Sequence, residues 1–181
     1  MPPNAWKRRA ERMLAMGLLA ALMGLVACDP QRIKELEEGV STEADVKARF
    51  GEPEQVWDAP KNAAPGTKVF EYNRQPEGTT NYMIAIGPDG KMSALRQVLS
   101  AQNFEKILPG MLAEDVRKAL GKPAKVATFA LSKEIHWEWH FADGPGSMDR
   151  KIFSVAFNPD MKVLTTATAP DPRAQGESPG R

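Results

Sequence analysis

The sequence is poor in the features on which most recognisable activities depend. A single cysteine among 181 residues excludes an internal disulfide. No nucleophile elbow, phosphate-binding loop or dinucleotide-binding glycine fingerprint occurs in the chain. With 24 Lys and Arg against 23 Asp and Glu, the chain has a formal net charge of only +1, which does not favour nucleic-acid binding. These absences favour a non-enzymatic protein without a cofactor.

The longest apolar run lies near the N-terminus and predicts export. Four basic residues, at positions 7, 8, 9 and 12, precede the 14 apolar residues 13–26. A run of this length is too short to span a hydrocarbon core of about 30 Å. A basic head followed by a short apolar core is the pattern of a secretory signal peptide.

Leu25-Val26-Ala27-Cys28 resembles the lipobox of bacterial lipoproteins, in which the cysteine sulfur is joined to diacylglycerol and the cysteine becomes the new N-terminus. The resemblance implies that residues 1–27 are removed, that Cys28 is lipidated, and that the remaining 154 residues are tethered to a membrane. A lipidated Cys28 leaves no cysteine for nucleophilic catalysis. We expect the outer membrane, facing the periplasm. Asp29 resembles the signal that retains lipoproteins at the inner membrane in enteric bacteria, so the inner membrane is the alternative location.

Three blocks recur in the same order about 70 residues apart, which predicts a duplicated unit. We place repeat 1 at residues 28–100 and repeat 2 at residues 101–168, followed by a disordered tail over residues 169–181. The paired blocks are Asp45–Pro53 with Asp115–Pro123, Phe70–Tyr72 with Trp137–Trp139, and Tyr82–Asp89 with Phe153–Asp160.

Each repeat has the pattern of helices followed by strands. In repeat 1, the capping-box pattern of Thr42 and Asp45 predicts a helix start, and Val46 and Phe50 fall on one face of that helix, the expected core face. Shorter helices are expected at residues 31–38 and 103–108. Strands are expected at residues 68–73, 81–86 and 94–99, and again at 135–141, 151–157 and 163–168.

The second repeat contains a motif that resembles the signature of the SmpA/OmlA, or BamE-like, family: Gly110, Met111, Val116, Leu120, Gly121 and Pro123 at the family's spacing. Repeat 1 matches more loosely. The resemblance implies a lipoprotein that supports the machinery inserting β-barrels into the outer membrane. Together with the element pattern it gives the expected fold class, α+β: two tandem repeats, each with two N-terminal helices packed on a three- to four-stranded antiparallel sheet.

One string could hold a metal ion. On a strand, His136, Glu138 and His140 share a face, and two His with a Glu is a plausible zinc set. However, His136 and His140 would lie about 13 Å apart along a strand, and repeat 1 has no such set. We therefore expect no metal, with Trp137 and Trp139 in the core and the three polar side chains facing water. Glu71, at the position of Glu138 in repeat 1, is also expected to face solvent.

The leading functional hypothesis is a non-catalytic, lipid-anchored scaffold or adaptor that supports outer-membrane β-barrel assembly or envelope integrity. Its expected partners are the membrane, through the lipid anchor, and other envelope proteins, with the β-barrel assembly machinery as a candidate. The alternative is an inhibitor or sequestering module, because the tandem arrangement is similar to the β-lactamase inhibitor proteins, secreted binders built from two similar units. A large exposed aromatic patch on the sheets would favour that alternative.

Overall fold

Two four-stranded antiparallel sheets dominate the fold, and helices are few. The computed structural model describes residues 33–58, 62–144, 147 and 149–174. The predicted signal peptide, Cys28 and Asp29 lie outside these ranges. The described residues from Glu38 onward belong to one compact unit, which contains both sheets. None of the helices in the described ranges combines the length and apolar character needed to cross a bilayer.

In both repeats an eight-residue helix precedes four strands, and repeat 2 has a further short helix before them. Repeat 1 contains helix α1 (Glu43–Phe50) and strands β1 (Gln55–Asp58), β2 (Lys68–Asn73), β3 (Asn81–Ile86) and β4 (Met92–Gln97). Repeat 2 contains helices α2 (Ala101–Phe104) and α3 (Ala113–Leu120), then strands β5 (Lys125–Phe129), β6 (Glu134–Ala142), β7 (Arg150–Phe157) and β8 (Val163–Pro170), with a 3-10 helix at Pro172–Ala174. In each sheet the spatial order of the strands is their order in the chain.

The helical content is lower than the sequence predicted. The short helix expected at residues 103–108 is instead the four-residue α2, and of the segment expected at 31–38 only residues 33 and 34 are helical in the described range. Such short segments cannot offset the cost of helix nucleation unless packing holds them. The C-terminal boundary also differs, because β8 runs through Pro170 and Asp171 is buried, so the expected tail cannot begin at residue 169.

The α1 helix forms as its sequence predicts. The Thr42 N–H and hydroxyl both donate to Asp45 Oδ2, at 2.8 and 2.7 Å, and the Asp45 N–H donates back to Thr42 Oγ1, which completes a capping box. Val46 and Phe50 face the core and are buried. The equivalent helix α3 has Leu112 at its N-cap position and therefore no side-chain cap.

Equivalent backbone hydrogen bonds recur in the two repeats. Gly39 N–H donates to Met92 O in repeat 1, and Gly110 N–H donates to Val163 O in repeat 2. Both sheets contain a register shift at the matching point of the third strand, after Ala85 and after Ala156. This correspondence, down to the same irregularity in each sheet, is what a duplicated unit would produce.

In each repeat, an aromatic side chain of the sheet forms a hydrogen bond with the C-terminal end of the eight-residue helix that precedes that sheet. Tyr72 Oη donates to Gly51 O at 3.0 Å, and Trp139 Nε1 donates to Gly121 O at 3.0 Å. Burial raises the pKa of Tyr72 to about 12. Because an unpaired helix-end carbonyl in the core would be costly, these two bonds fix the helix against its sheet.

Candidate functional site

The motif residues of repeat 2 lie at the two ends and on the buried face of α3. Val116 and Leu120 are fully buried in the core of repeat 2, and Met111 packs against it. Gly110 and Gly121 flank the helix and both have positive φ, at +88° and +77°. Pro123 follows two residues later and is half-buried. All six residues therefore have evident packing or backbone roles.

The three candidate metal ligands each contact a different protein group. His136 Nε2 lies 2.9 Å from Glu134 Oε2, Glu138 pairs with Lys125 at 3.4 Å, and His140 Nδ1 lies 3.0 Å from Asp171 Oδ2. In the described ranges, no three His, Cys, Asp or Glu side chains come close enough together to hold a metal ion.

The expectation that all three side chains face water was wrong for His140, which is buried. Gln75 of repeat 1 covers its backbone: Gln75 Nε2 donates to His140 O at 2.8 Å, and His140 N–H donates to Gln75 Oε1 at 3.0 Å. Burial of Asp171 acts to raise its pKa, but the Arg173 N–H, the His140 ring and their charges outweigh it, so the pKa of Asp171 is lowered.

Glu71 overturns a second expectation, because its side chain is fully buried rather than solvent-facing. Its Oε1 accepts hydrogen bonds from Asn73 Nδ2 at 2.8 Å and from the Lys122 N–H at 3.0 Å, and Arg117 Nη2 lies 3.4 Å away. Its Oε2 accepts from Trp57 Nε1 at 2.8 Å. The alternation of β2 does place Glu71 on the outer face of the sheet, but repeat 2 covers that face here.

Two asparagines complete this buried polar cluster. Asn73 Oδ1 also accepts from the Lys122 N–H, at 2.9 Å. Asn81 Nδ2 donates to Leu120 O at 2.8 Å and to Lys122 O at 3.2 Å. The chain passes so close that a Cβ on Gly121 would lie 2.6 Å from Asn73 Oδ1. Repeat 1 thus binds the C-terminal end of α3 through polar groups whose partners lie in the other repeat.

The polar cluster fixes the orientation of Trp57. Glu71 holds the indole N–H, while the Arg117 guanidinium and the Lys118 ammonium lie 5.9 and 5.5 Å from the indole ring, within cation–π range. The indole is half-buried, with its polar end satisfied and part of its ring accessible. An aromatic ring held in this way loses little conformational freedom when a partner contacts it.

Trp57 stands at the edge of an open groove of about 1000 Å³, which we call the inter-repeat groove. Its floor is a row of cross-strand neighbours on the outer face of the first sheet, Trp57, Val69, Ala85 and Ala94. The small side chains of the two alanines leave space above the sheet. The wall comes from repeat 2, and its residues include Asn103, Lys106, Asp115, Lys118 and Ala119.

The groove suits binding better than bond-breaking chemistry. The buried carboxylate of Glu71, near the groove, already accepts hydrogen bonds from both repeats. Each of its two oxygens has a donor, so neither is free to act on a ligand in the groove. The floor is apolar, and the rim carries both signs of charge, including Arg96, Lys106 and Asp58. This combination of apolar floor and polar rim is typical of recognition sites.

Sequence reasoning missed Trp57, Glu71, Asn73 and Asn81 as members of a site. Glu71 was visible as one half of a repeated aromatic-Glu-aromatic string, but its principal donor from repeat 2 is the backbone N–H of Lys122, which leaves no signature in the sequence. The sequence signal that could have found this site is a difference between the two repeats. Asn73 follows the aromatic-Glu-aromatic string in repeat 1, whereas His140 stands at that position in repeat 2.

Comparisons with known proteins give distant matches only. No family model matches the chain, and no curated protein matches it, so the resemblance to SmpA/OmlA proteins gains no support there. A DUF4309 family protein, YjgB from Bacillus subtilis subsp. subtilis str. 168, is 21% identical with a TM-score of 0.28, over 75% of this chain and 82% of that one. A Streptococcus mutans protein provisionally described as a beta-lactamase inhibitor protein is 12% identical with a TM-score of 0.33, over 71% of this chain and 82% of that one.

Proposed function

We propose that this chain is a non-catalytic lipoprotein of the bacterial envelope that binds another protein in the inter-repeat groove. The observation that carries the proposal is the preorganised Trp57, whose indole is locked by Glu71 beside an open, apolar-floored groove. Tryptophan is the residue type most enriched among energetically dominant interface positions. A rigid groove of this kind can bind a partner without the cost of ordering itself.

The lipid anchor is the second part of the proposal. Acylation of Cys28 would hold the described domain at a membrane surface and raise its effective concentration for partners there. We place the protein at the outer membrane, facing the periplasm. Its partners would then be other envelope proteins, among which the SmpA/OmlA resemblance points to the β-barrel assembly machinery.

The inhibitor alternative would be favoured by a large aromatic patch on the sheets. Among the described residues, the exposed large apolar side chains include one aromatic, Phe129, which is 50% exposed and packs against His136 with their rings tilted by 56°. The described part of the chain therefore carries no large exposed aromatic patch, which disfavours the inhibitor alternative.

The groove is tested by site-specific photocrosslinking in intact cells of the native host. A photoreactive residue at Ala94, on the groove floor, should capture one envelope protein, and the same residue at the exposed Lys133 should not. Ala85→Phe, which fills the floor at the position paired with Val69, should abolish that crosslink. An Ala94 adduct that survives Ala85→Phe would argue against groove binding.

The anchor is tested separately by cell fractionation. Cys28→Ser should move the protein from the membrane to the soluble fraction while its unfolding transition stays unchanged. If the variant remained in the membrane fraction, the lipid anchor would be ruled out as the means of attachment.

A further inference from the structure

Each sheet has two edge strands, and three of the four edges carry a feature that discourages pairing with another chain. The β1 edge has only four residues and ends in Asp58, and the five-residue β5 begins with Lys125. The β4 edge contains Arg96, and the Leu95 N–H donates to Glu38 Oε1 at 3.0 Å. Short length, edge charges and covered N–H groups are the usual protections of sheet edges.

The β8 edge lacks these protections. It has eight residues, Val163–Pro170, without a charged side chain, and residues 164, 165 and 167–170 are exposed. At its start the chain covers itself, because Gly110 and Met111 exchange hydrogen bonds with Val163. Beyond Val163, the described part of the chain places no other strand on this side of the sheet.

The internal duplication shows which backbone groups of β8 point outward. Met92 and Leu95 of β4 correspond to Val163 and Thr166 of β8, and both strands follow the same register shift. Because the Leu95 N–H points away from β3 to reach Glu38, we assign the same outward direction to the Thr166 N–H.

Glu38 corresponds to Pro109, because each residue directly precedes one of the two matched glycines, Gly39 and Gly110. Proline has no carboxylate, so position 109 cannot provide the Thr166 N–H with the side-chain acceptor that Glu38 provides for the Leu95 N–H. The alternation of an antiparallel strand places the Thr168 N–H on the same outer side.

A small pocket lies beside this edge. Its volume is about 390 Å³, and its floor includes the buried Phe104, Phe141 and Phe153. Thr166 and Thr168 line it on the β8 side, and its lining also includes the charged residues Glu105, Asp143 and Lys151. A strand added along β8 would place every second side chain on the side of the sheet where this pocket lies. Backbone pairing for affinity and an adjoining pocket for specificity are the two parts of β-strand addition.

We propose that the β8 edge, residues 164–169, is a docking site for an extended segment of another protein that carries an apolar side chain into this pocket. The proposal rests on the proposed function only in taking the protein to act by binding other proteins. A second copy of this chain is a poor occupant. Antiparallel self-pairing centred on Ala167 would bring Asp171 of one copy against residues 110–112 of the other, where the edge is already covered.

The probe is a displayed library of random eight-residue peptides, selected on the purified full chain carrying Cys28→Ser. Enriched peptides should share alternating apolar and β-branched residues. Pro109→Glu, which supplies the carboxylate that Glu38 provides in repeat 1, should weaken their binding about tenfold, the effect of losing one hydrogen bond. Pro109→Ala is the matched control and should bind as the parent does.

The outcomes separate this proposal from the groove. Failure to enrich any peptide, or equal binding to the Pro109→Glu and Pro109→Ala variants, overturns docking at β8. Peptides that lose binding with Ala85→Phe but not with Pro109→Glu also overturn it, while leaving the groove proposal standing. Weaker binding to Pro109→Glu combined with no crosslink at Ala94 supports the β8 site and contradicts the groove. Equal urea midpoints for the two Pro109 variants exclude misfolding as the cause.

Discussion

Glu71 and Glu138 occupy the same place in the two repeats, between two aromatic residues, yet their surroundings differ. Glu71 is fully buried and bonded to both repeats, whereas Glu138 is 24% exposed and pairs with Lys125 across the sheet. The same residue type, in the same sequence context, therefore forms buried hydrogen bonds between the repeats at Glu71 and an ion pair near the surface at Glu138. The difference arises from what covers each sheet.

Glu71→Ala should lower the free energy of unfolding by about 3 kcal/mol, because Trp57 Nε1 and Asn73 Nδ2 lose an acceptor inside the protein. Glu138→Ala is the matched control and should cost less than about 1 kcal/mol, since it breaks a surface pair. Urea unfolding of the two variants provides the measurement. Equal losses would show that the buried cluster does not hold the repeats together.

Gly121 offers a second comparison between repeats. Gly51 and Gly121 have the same backbone conformation, which alanine adopts at a cost of about 1–3 kcal/mol. A Cβ on Gly51 would meet nothing within 4 Å, whereas one on Gly121 would meet Asn73 and Asn81. Gly121→Ala should therefore destabilise more than Gly51→Ala in thermal unfolding. A larger loss for Gly51→Ala would contradict the close approach of α3 to the first sheet.

At the scale of elements, the sequence predicted what local chemistry determines. The limits of β2 and β3 were predicted correctly, because turn residues bound two β-rich runs. The predicted limits of β6, β7 and β8 were wrong by at most two residues at either end. β1 and β5 were missed as strands, because four or five mixed residues carry no periodic signal and become strands only by pairing with β2 and β6. The groove could not be predicted either, because its floor and wall residues, separated by between nine residues (Ala94 to Asn103) and 62 residues (Trp57 to Ala119), come together only in the folded protein.

The capping box of α1 allows a prediction at this scale. Thr42→Ala should lower the free energy of unfolding by about 1 kcal/mol at pH 7. It removes the hydroxyl that donates to the Asp45 carboxylate and accepts from the Asp45 N–H. Hydrogen bonds from the Thr42 N–H and hydroxyl hold the pKa of Asp45 below its ordinary value of 3.8. The ionised form therefore stabilises the fold above pH 3.8, and this contribution is lost as the pH falls through the lowered pKa.

The difference between the parent and Thr42→Ala should accordingly shrink when urea unfolding is repeated at pH 3. Leu112→Ala, at the equivalent position of α3, is the control and should show no such pH dependence, because that helix has no side-chain cap. A Thr42 effect that stays constant between pH 7 and pH 3 would mean that Asp45 is not part of the cap.

For the whole molecule, the question is why two repeats stay together. A unit of about 65 residues buries too little surface to be more than marginally stable alone. Here the second sheet is joined to the first by the Glu71 cluster and by the paired hydrogen bonds between Gln75 and the His140 backbone. Polar groups that are satisfied only across the junction make its separation costly, because each would lose its partner.

The two repeats should therefore unfold in one transition. Amide hydrogen exchange followed by mass spectrometry across a urea series reports each repeat separately, through peptides from β2–β3 and from β6–β7. In the parent protein both sets should give the same midpoint, because neither repeat keeps its buried polar groups satisfied without the other. Glu71→Ala should separate the two midpoints, whereas Glu138→Ala should leave them coincident. Two separate midpoints in the parent would show that the repeats are independent domains, and the groove between them would then not be the rigid surface on which the proposed binding depends.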